Sequence, residues 1–240
     1  MTITAARYDQ QPVYVLHTYP FKETSLVVEL FSRQIGRVAA IAKGARRPRA
    51  AMRGMLQSFQ PLVATWSGKS ELRNLHGVEW RGGLHVLHGQ ALICGFYLNE
   101  LMLRLLPRED PHETLFEHYE DALRRLSRDE PHSLVLRCFE KRLLQELGYA
   151  LPLEHEAEST TLIEPDRLYC YVVEHGPTRQ ITGQSGVQLH GKTLLDMARD
   201  DYSDAQTLQQ SKQLMRALVS HYLGEKPLHT RQLLIDLQQL

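Results

Sequence analysis

The chain has 240 residues, of which 42% are hydrophobic and 23% charged, and this composition excludes a disordered or fibrous protein. Its formal net charge is zero, but residues 1–82 contain 12 Lys and Arg against 5 Asp and Glu, whereas residues 83–240 contain 16 against 23. This asymmetry predicts an anion-binding N-terminal module joined to a body with a different task.

Five strand-like segments lie between Gln11 and Trp80. Each is rich in Val, Ile, Leu, Thr and aromatic residues, and each ends near a glycine or proline. The predicted strands are Val13–Tyr19, Thr24–Ser32, Gly36–Lys43, Pro61–Gly68 and Leu72–Trp80. Five strands in such a short stretch favour a small closed barrel such as an OB-fold over a sandwich, which usually needs about seven.

A cationic segment separates the third predicted strand from the fourth and contains no acidic residue. Its charged residues are Lys43, Arg46, Arg47, Arg49 and Arg53. A solvated or mobile loop is the alternative interpretation. The excess of arginine favours nucleic-acid binding, because the guanidinium group suits phosphate oxygens and stacks on bases.

Helical periodicity begins after Gly82 and Gly83. It predicts one helix from about Leu87 to Leu105, a second at Glu113–Leu126 and a third at His132–Leu147. From Tyr149 to Gly191 the segments are short and irregular, with at most one hairpin around Leu168–Val173. The final predicted helices begin near Leu194, at Thr207 and at Arg231, the last with Thr230 as its cap and ending near Gln239.

The predicted fold class is therefore α+β and multi-domain. An N-terminal five-stranded OB-fold β-barrel precedes an α-helical bundle and a partly irregular C-terminal region. The predicted boundaries are 1–82 for a nucleic-acid-binding barrel, 83–150 for the bundle, 151–190 for an irregular insert and 191–240 for C-terminal helices that pack on the bundle.

The sequence carries no secretory signal pattern, and its most apolar run, residues 91–106, is interrupted by Asn99, Glu100 and Arg104. We therefore expect a cytoplasmic protein without a membrane partner.

Several short motifs occur in order over nearly the whole length of the chain. They are Val15-Leu16-His17, Lys22-Glu23-Thr24-Ser25-Leu26, Gly36-Arg37-Val38, Ala42-Lys43-Gly44-Ala45-Arg46, Leu56-Gln57-Ser58-Phe59-Gln60-Pro61-Leu62, Tyr97-Leu98-Asn99-Glu100-Leu101, Leu147-Gly148-Tyr149, Gly224-Glu225-Lys226-Pro227-Leu228 and Thr230-Arg231. In their order and spacing, these motifs resemble the bacterial RecO family.

The resemblance implies a recombination mediator in DNA repair that binds single- and double-stranded DNA and anneals complementary strands. It also implies help in loading RecA onto DNA coated by single-stranded-DNA-binding protein, together with RecR and in some cases RecF, at the nucleoid. Such a protein breaks no covalent bond, so we expect neither an enzyme nor a cofactor.

The residues that match the family's basic motif are Arg37, Lys43 and Arg46, and Arg47, Arg49 and Arg53 extend it. Lys22 and Phe21 complete the predicted DNA-binding set. The barrel region offers further aromatic residues for base stacking, namely Tyr14, Tyr19, Phe31, Phe59 and Trp66. Core packing is the expectation for most of these, whereas Phe21, in a turn beside Lys22, is expected to be exposed.

One departure concerns zinc, which many relatives hold with four cysteines. Where they have two CxxC pairs, this chain has only Cys170 with His155, His175 and His190 loosely around it. The other two cysteines, Cys94 and Cys138, lie far away. A tetrahedral site usually needs at least one closely spaced ligand pair, so we expect no metal and no disulfide framework.

The third predicted helix offers a partner site. Single-stranded-DNA-binding proteins end in an acidic tail with a terminal phenylalanine, which calls for an apolar pocket beside an arginine. Arg137, Lys141 and Arg142 lie near Phe139, Leu134 and Cys138. Arg137 is the leading candidate, and the alternative is that these are ordinary solvated helix residues.

An enzyme and an RNA-binding adaptor are the alternative classes of function. No HExxH, GxSxG, P-loop or GxGxxG motif is present, which argues against an enzyme. An OB-fold RNA-binding or ribosome-associated adaptor stays open on the residues alone, because phosphate contacts carry little base information.

Overall fold

A computed structural model describes residues 6–83, 86–149, 151–157, 159–179, 186–224 and 227–230. The chain divides into two compact units between residues 128 and 129. This division falls inside the predicted bundle of residues 83–150, and the four-part domain organisation stays a prediction. The helix predicted at Arg231–Gln239 lies outside the described residues.

The first unit contains a closed barrel of five strands. Its strands are β1 (Arg7–Phe21), β2 (Ser25–Ser32), β3 (Gly36–Ala42), β4 (Leu62–Ser67) and β5 (Leu72–Trp80). They close in the order β1-β2-β3-β5-β4, with β3 and β5 parallel and the other neighbours antiparallel. This confirms the five-stranded OB-fold barrel.

Side chains from alternate strand positions fill the barrel, as period-two patterning requires. The interior contains Val13, Val15, Val28, Leu30, Val38, Ala40, Leu62, Ala64, Trp66, Leu75 and Val78. The cationic segment contains a short helix that the sequence did not predict, α1 (Ala51–Met55). Leu56 and partly buried Met52 and Met55 pack against the same core.

Two helices, α2 (Gly89–Leu105) and α3 (Glu113–Ser127), complete the described part of the first unit. The rings of Tyr14 and Phe31, which face away from the barrel interior, both pack on Phe116 and Tyr119 of α3. The turn before β3 requires glycine at position 36, because its φ is +77° and a Cβ there would overlap the carbonyl oxygen of Asp110.

The second unit combines three helices with a small antiparallel sheet. Its elements are α4 (His132–Glu146), β6 (Leu168–Val172), β7 (Gly176–Thr178), β8 (Val187–His190), α5 (Gly191–Ala198) and α6 (Ala205–Leu223). The sheet order is β7-β6-β8, so the segment predicted to contain at most one hairpin has a third strand. Its strands are three to five residues long, too short for a clear periodicity.

The core of the second unit joins this sheet to its helices. Tyr169, Tyr171 and Leu189 from the sheet are buried with Leu194 of α5 and Leu214 of α6. No helix in the described part of the chain is long and apolar enough to cross a membrane.

Candidate nucleic-acid interface

The basic loop, which we define as residues 43–53, presents all five of its cations to solvent. Lys43, Arg46, Arg47, Arg49 and Arg53 are exposed, as is Lys22 in the turn between β1 and β2. Within the described ranges, none of these six forms an ion pair with an acidic side chain. Their charge is therefore free to attract an external anion.

Several other arginines of the first unit are neutralised by carboxylates. The pairs are Arg33 with Glu117, Arg73 with Glu109, Arg108 with Glu29 and Arg124 with Asp121. Within residues 1–82, the pairs of Arg33 and Arg73 offset positive charge outside the basic loop. The charge counts alone do not show which cations are offset in this way.

The basic loop is tied to the turn that carries Lys22. The backbone N–H of Arg46 donates to the carbonyl of Thr24 at 2.8 Å, and its guanidinium Nη1 donates to the carbonyl of Lys22 at 3.3 Å. These bonds bring Lys22 and Arg46, which are 24 residues apart, to one side of the barrel.

Apolar side chains hold the basic loop from below. Ala45 is 1% exposed and belongs to the barrel core, and Met52, Met55 and Leu56 pack against that core at the far end of the loop. Successive turns, with Arg47 N–H donating to Gly44 and Ala50 N–H to Arg47, order the backbone between these anchors. The charges therefore stand on an ordered support, unlike those of a freely mobile loop.

A strip of half-exposed apolar side chains adjoins the basic loop on the outside of the barrel. Tyr19 lies opposite Val27, which in turn lies opposite Ile41, and side chains at directly paired positions share a face of the sheet. Phe21 lies two residues further along β1, opposite Ser25. We call Tyr19, Phe21, Val27 and Ile41 the outer strip.

The aromatic residues only partly follow the sequence expectations. Tyr14, Phe31, Phe59 and Trp66 are buried as expected. Tyr19 is 45% exposed and is an exception to the expected core packing. Phe21, expected to be exposed, is half-buried, and the Nζ atom of Lys22 lies 5.5 Å from the centre of its ring.

Arg37 is separated from the other predicted DNA-binding residues. Its Nε donates to the carbonyl of Leu106, and its Nη1 lies 3.3 Å from Glu29 Oε2. Burial lowers the pKa of Arg37, although the carboxylate of Glu29 opposes this effect. Arg37 matches the family motif but forms an internal ion pair. Unlike the loop cations, it is neither exposed nor free of an acidic partner.

Two of the residues predicted to bind a protein tail are buried. Phe139 is 2% exposed and Lys141 is 1% exposed. The ammonium group of Lys141 contacts Asp200 Oδ1 at 2.5 Å and donates to the carbonyl of Met197 at 2.6 Å. These two residues are thus part of the core, which corrects the expectation of a surface receiver and also the alternative of solvated residues.

The two arginines of this set differ in exposure. Arg137 is 8% exposed, and its Nη2 donates to Glu140 at 2.5 Å, while its Nε has no hydrogen-bond partner among the described residues. Arg142 has a side chain 39% exposed and pairs with Asp200 Oδ2 at 2.6 Å.

The residues that replace the zinc ligands of relatives do not gather around a common point. Cys170 is buried in β6, against Gly186, and the Nδ1 of His190 lies within hydrogen-bonding distance of Gln206 and Gln210. No group of three potential metal ligands occurs within the ranges that the structure describes. These residues do not fit a tetrahedral zinc site.

Two exposed aromatic residues of the barrel and one buried polar residue were not predicted from the sequence. Trp80, at the end of β5, is 57% exposed, and its position beside Arg81-Gly82-Gly83 is a signal that could have indicated this. For the exposure of Tyr19 the sequence has no comparable signal. Asn99 on α2 is 2% exposed and donates to the carbonyl of Leu16 at 2.9 Å.

A five-stranded OB-fold barrel with an ordered, unpaired cationic loop defines the chain as an OB-fold protein with an anion-attracting face. The family model described as "Recombination protein O N terminal" matches residues 7–84, and the one described as "Recombination protein O C terminal" matches residues 87–232. The chain belongs to the RecO family.

Similar proteins carry the same family name. A protein of Nitrosospira multiformis named DNA repair protein RecO is 54% identical over the full length of both chains. Proteins of the same name from Dechloromonas aromatica and Aromatoleum aromaticum are each 53% identical, with 98% of both chains covered. Both units of the chain therefore lie within the region of similarity.

Proposed function

We propose that this protein acts in DNA repair as a non-catalytic recombination mediator. It binds single- and double-stranded DNA, anneals complementary strands and helps load RecA onto DNA coated by single-stranded-DNA-binding protein, in the cytoplasm at the nucleoid. Family membership supports the repair role. The observation that carries DNA binding is the set of exposed, unpaired cations on the basic loop and Lys22.

Annealing is limited by the repulsion between two phosphate chains. A surface that partly neutralises both strands raises their encounter rate and leaves the base edges free to pair. The loop cations suit this task because they contact phosphates, which are common to every sequence and to both strand states. A small number of such contacts also keeps binding weak enough for a strand to move until it finds its register.

The proposed function needs no nucleophile, general acid or metal. The reaction forms only base pairs, and its driving force comes from the complementary strands themselves. The protein therefore lowers an electrostatic barrier and is not consumed or modified. RecR, and RecF as a further member, are proposed as partners on the strength of the family alone.

The acidic tail of single-stranded-DNA-binding protein is a second proposed partner, received at α4. Arg137 is the proposed anchor because a guanidinium group suits a terminal carboxylate, and Arg142 adds a partly exposed charge on the same helix. Phe139 and Lys141 of the same helix are buried, so we do not propose them as direct contacts of the tail.

The experiment that tests the function measures the annealing rate of two complementary oligonucleotides, bare or coated with single-stranded-DNA-binding protein. The wild type is compared with a Lys43→Ala, Arg46→Ala, Arg47→Ala triple variant. The matched control removes three exposed cations of the second unit, Arg199, Lys212 and Arg216.

We expect the wild type and the control to accelerate annealing and the loop variant to lose the acceleration while staying folded. Absence of acceleration by the wild type would overturn the mediator proposal. A competition between single-stranded DNA and RNA of matched sequence completes the test, and a strong preference for RNA would favour the adaptor interpretation instead.

A further inference from the structure

Strand β1 changes the direction of its side chains at one residue. Val13 and Val15 point into the barrel, so strict alternation would send residues 17, 19 and 21 inward as well. Val15 pairs with Leu30, but His17 pairs with Glu29, which leaves Leu16 as an extra residue on β1. This β-bulge inverts the alternation for the remainder of the strand.

The bulge determines that Tyr19 belongs to the outer strip. Beyond it, Thr18 takes the position opposite Val28 of the core, and Tyr19 lies opposite Val27 on the outer face. The ring of His17 contacts Tyr19 edge-on, with ring centres 4.4 Å apart and an interplanar angle of 65°. This contact supports the Tyr19 ring from one side while 45% of the residue stays exposed.

The bulge is held from outside the barrel by Asn99. Its side-chain amide donates to the carbonyl of Leu16 at 2.9 Å, and its own carbonyl oxygen accepts from the hydroxyl of Tyr119 at 2.6 Å. Asn99 is 2% exposed and Leu16 is 1% exposed, so water has no access to the Leu16 carbonyl and cannot replace the bond from Asn99. The carbonyl of Leu16, a residue without a paired position on β2, thereby accepts a hydrogen bond from a buried side chain.

Other parts of the outer face contact elements outside the barrel. Tyr14 and Phe31 lie under α3, and Arg37 is bonded to the carbonyl of Leu106. The outer strip, by contrast, keeps Tyr19 exposed. It leads directly to the cations, because Lys22 follows Phe21 and Lys43 comes two residues after Ile41.

We infer that the outer strip is a base-stacking subsite for single-stranded nucleic acid, with Tyr19 as the stacking residue and Asn99 as the positioning residue that turns it outward. Phosphates of the same strand lie along Lys22, Lys43 and Arg46. The inference rests on the proposed function and deepens it.

The physical consequence is a preference for single strands. Phosphate contacts form with a duplex as well as with a single strand, whereas the face of a base is accessible only when the base is unstacked. Removing Tyr19 therefore costs single-strand affinity and leaves duplex affinity to the basic loop. The hydroxyl is not required for stacking, so phenylalanine serves in its place.

The experiment compares the dissociation constants of single-stranded and double-stranded DNA of one sequence, measured by fluorescence anisotropy. The variants are Tyr19→Ala and Tyr19→Phe. The matched control is Phe96→Ala, which removes an aromatic residue of similar exposure, 42%, from α2.

We expect Tyr19→Ala to weaken single-strand binding by about 5- to 100-fold, since base–aromatic stacking contributes to affinity on that scale. Duplex binding stays within about twofold, and Tyr19→Phe and Phe96→Ala resemble the wild type. Equal losses for both DNA forms, or an unchanged single-strand affinity, would overturn the inference.

Asn99→Ala tests the positioning role through the ratio of single-strand to duplex affinity. A loss of stability alone lowers both apparent affinities by the same factor and leaves this ratio unchanged. A fall of this ratio toward that of Tyr19→Ala supports the role, and an unchanged ratio contradicts it. The exposed Tyr19 variants keep the test valid if Asn99→Ala does not fold. If the wild type binds neither DNA form, the proposed function itself fails; if only the Tyr19 effect is missing, the stacking inference alone fails.

Discussion

The side-chain amide of Asn99 donates a hydrogen bond to the backbone carbonyl of Leu16, joining α2 to the bulge of β1 across 83 residues of sequence. Tyr119 donates to the other end of the same amide. This chain of buried bonds connects two helices to the strand that bears the outer strip.

Asn99→Ala is expected to reduce the free energy of unfolding by roughly 2 to 4 kcal/mol, because it removes the donor to the buried Leu16 carbonyl and the acceptor of the Tyr119 hydroxyl. Tyr119→Phe, which removes only the hydroxyl, is expected to cost about 1 kcal/mol. Chemical denaturation measures both. A cost for Asn99→Ala no larger than that for Tyr119→Phe would show that the bond to Leu16 contributes nothing.

The salt dependence of single-strand binding should report the number of loop contacts. Five phosphate contacts predict a slope of about −3.5 in a plot of log affinity against log salt concentration. The Lys43, Arg46, Arg47 triple alanine variant should reduce the slope to about −1.4, since two contacts remain. The Arg199, Lys212, Arg216 control should keep the wild-type slope, and a parallel fall in that control would mean that DNA contacts lie elsewhere.

Lys141→Ala is expected to destabilise the second unit by roughly 1 to 3 kcal/mol, because it removes a buried charged donor that contacts both Asp200 and the Met197 carbonyl. Arg142→Ala removes the partly exposed partner of the same carboxylate and should cost at most about 1 kcal/mol. Denaturation curves of the two variants test whether Lys141→Ala is the more destabilising change. DNA affinity should be unchanged in both, and a marked loss of affinity in folded Lys141→Ala would contradict a purely structural role.

Arg137 should affect tail binding separately from DNA binding. An acidic peptide ending in phenylalanine should bind Arg137→Ala roughly tenfold to 100-fold more weakly, as expected for a lost charged hydrogen bond. Arg137→Lys, which keeps the charge but lacks the planar fork, should also be impaired. Isothermal titration with the peptide decides, and full tail affinity in both variants would remove α4 from the proposed interface.

Alkaline pH should destabilise the protein through its buried tyrosines. Burial raises the pKa of Tyr14, with Glu120 adding to the effect, and burial raises the pKa of Tyr119, Tyr171 and Tyr202. In the unfolded chain these hydroxyls ionise near pH 10, so above about that pH the folded state binds more protons than the unfolded state. Their contribution is therefore complete below pH 10 and falls as the pH rises further.

Denaturation at a series of pH values through this range, alongside Tyr14→Phe, measures the effect. The variant should show a shallower loss of unfolding free energy above about pH 10. Equal pH dependence in the two proteins would indicate that Tyr14 ionises in the folded state as readily as in the unfolded one.

Sequence alone determined the elements whose signals are local. Alternating β-branched residues bounded by glycine and proline located all five barrel strands, and helical spacing located α2, α3 and α4 within a few residues of their ends. The run of cations without acids located the basic loop. These signals depend on neighbours a few residues away, which is why they can be read without the fold.

Only the tertiary structure decided which of these side chains are available. Arg37 and Lys141 look like other surface cations in the sequence, yet Glu29 and Asp200, brought in by folding, bind them. The outward direction of Tyr19 depends on one extra residue of β1, Leu16. The Asn99 amide that donates a hydrogen bond to the Leu16 carbonyl lies on α2. Burial and pairing are set by distant elements, and a bulge of one residue reverses a strand's alternation without a mark in its composition.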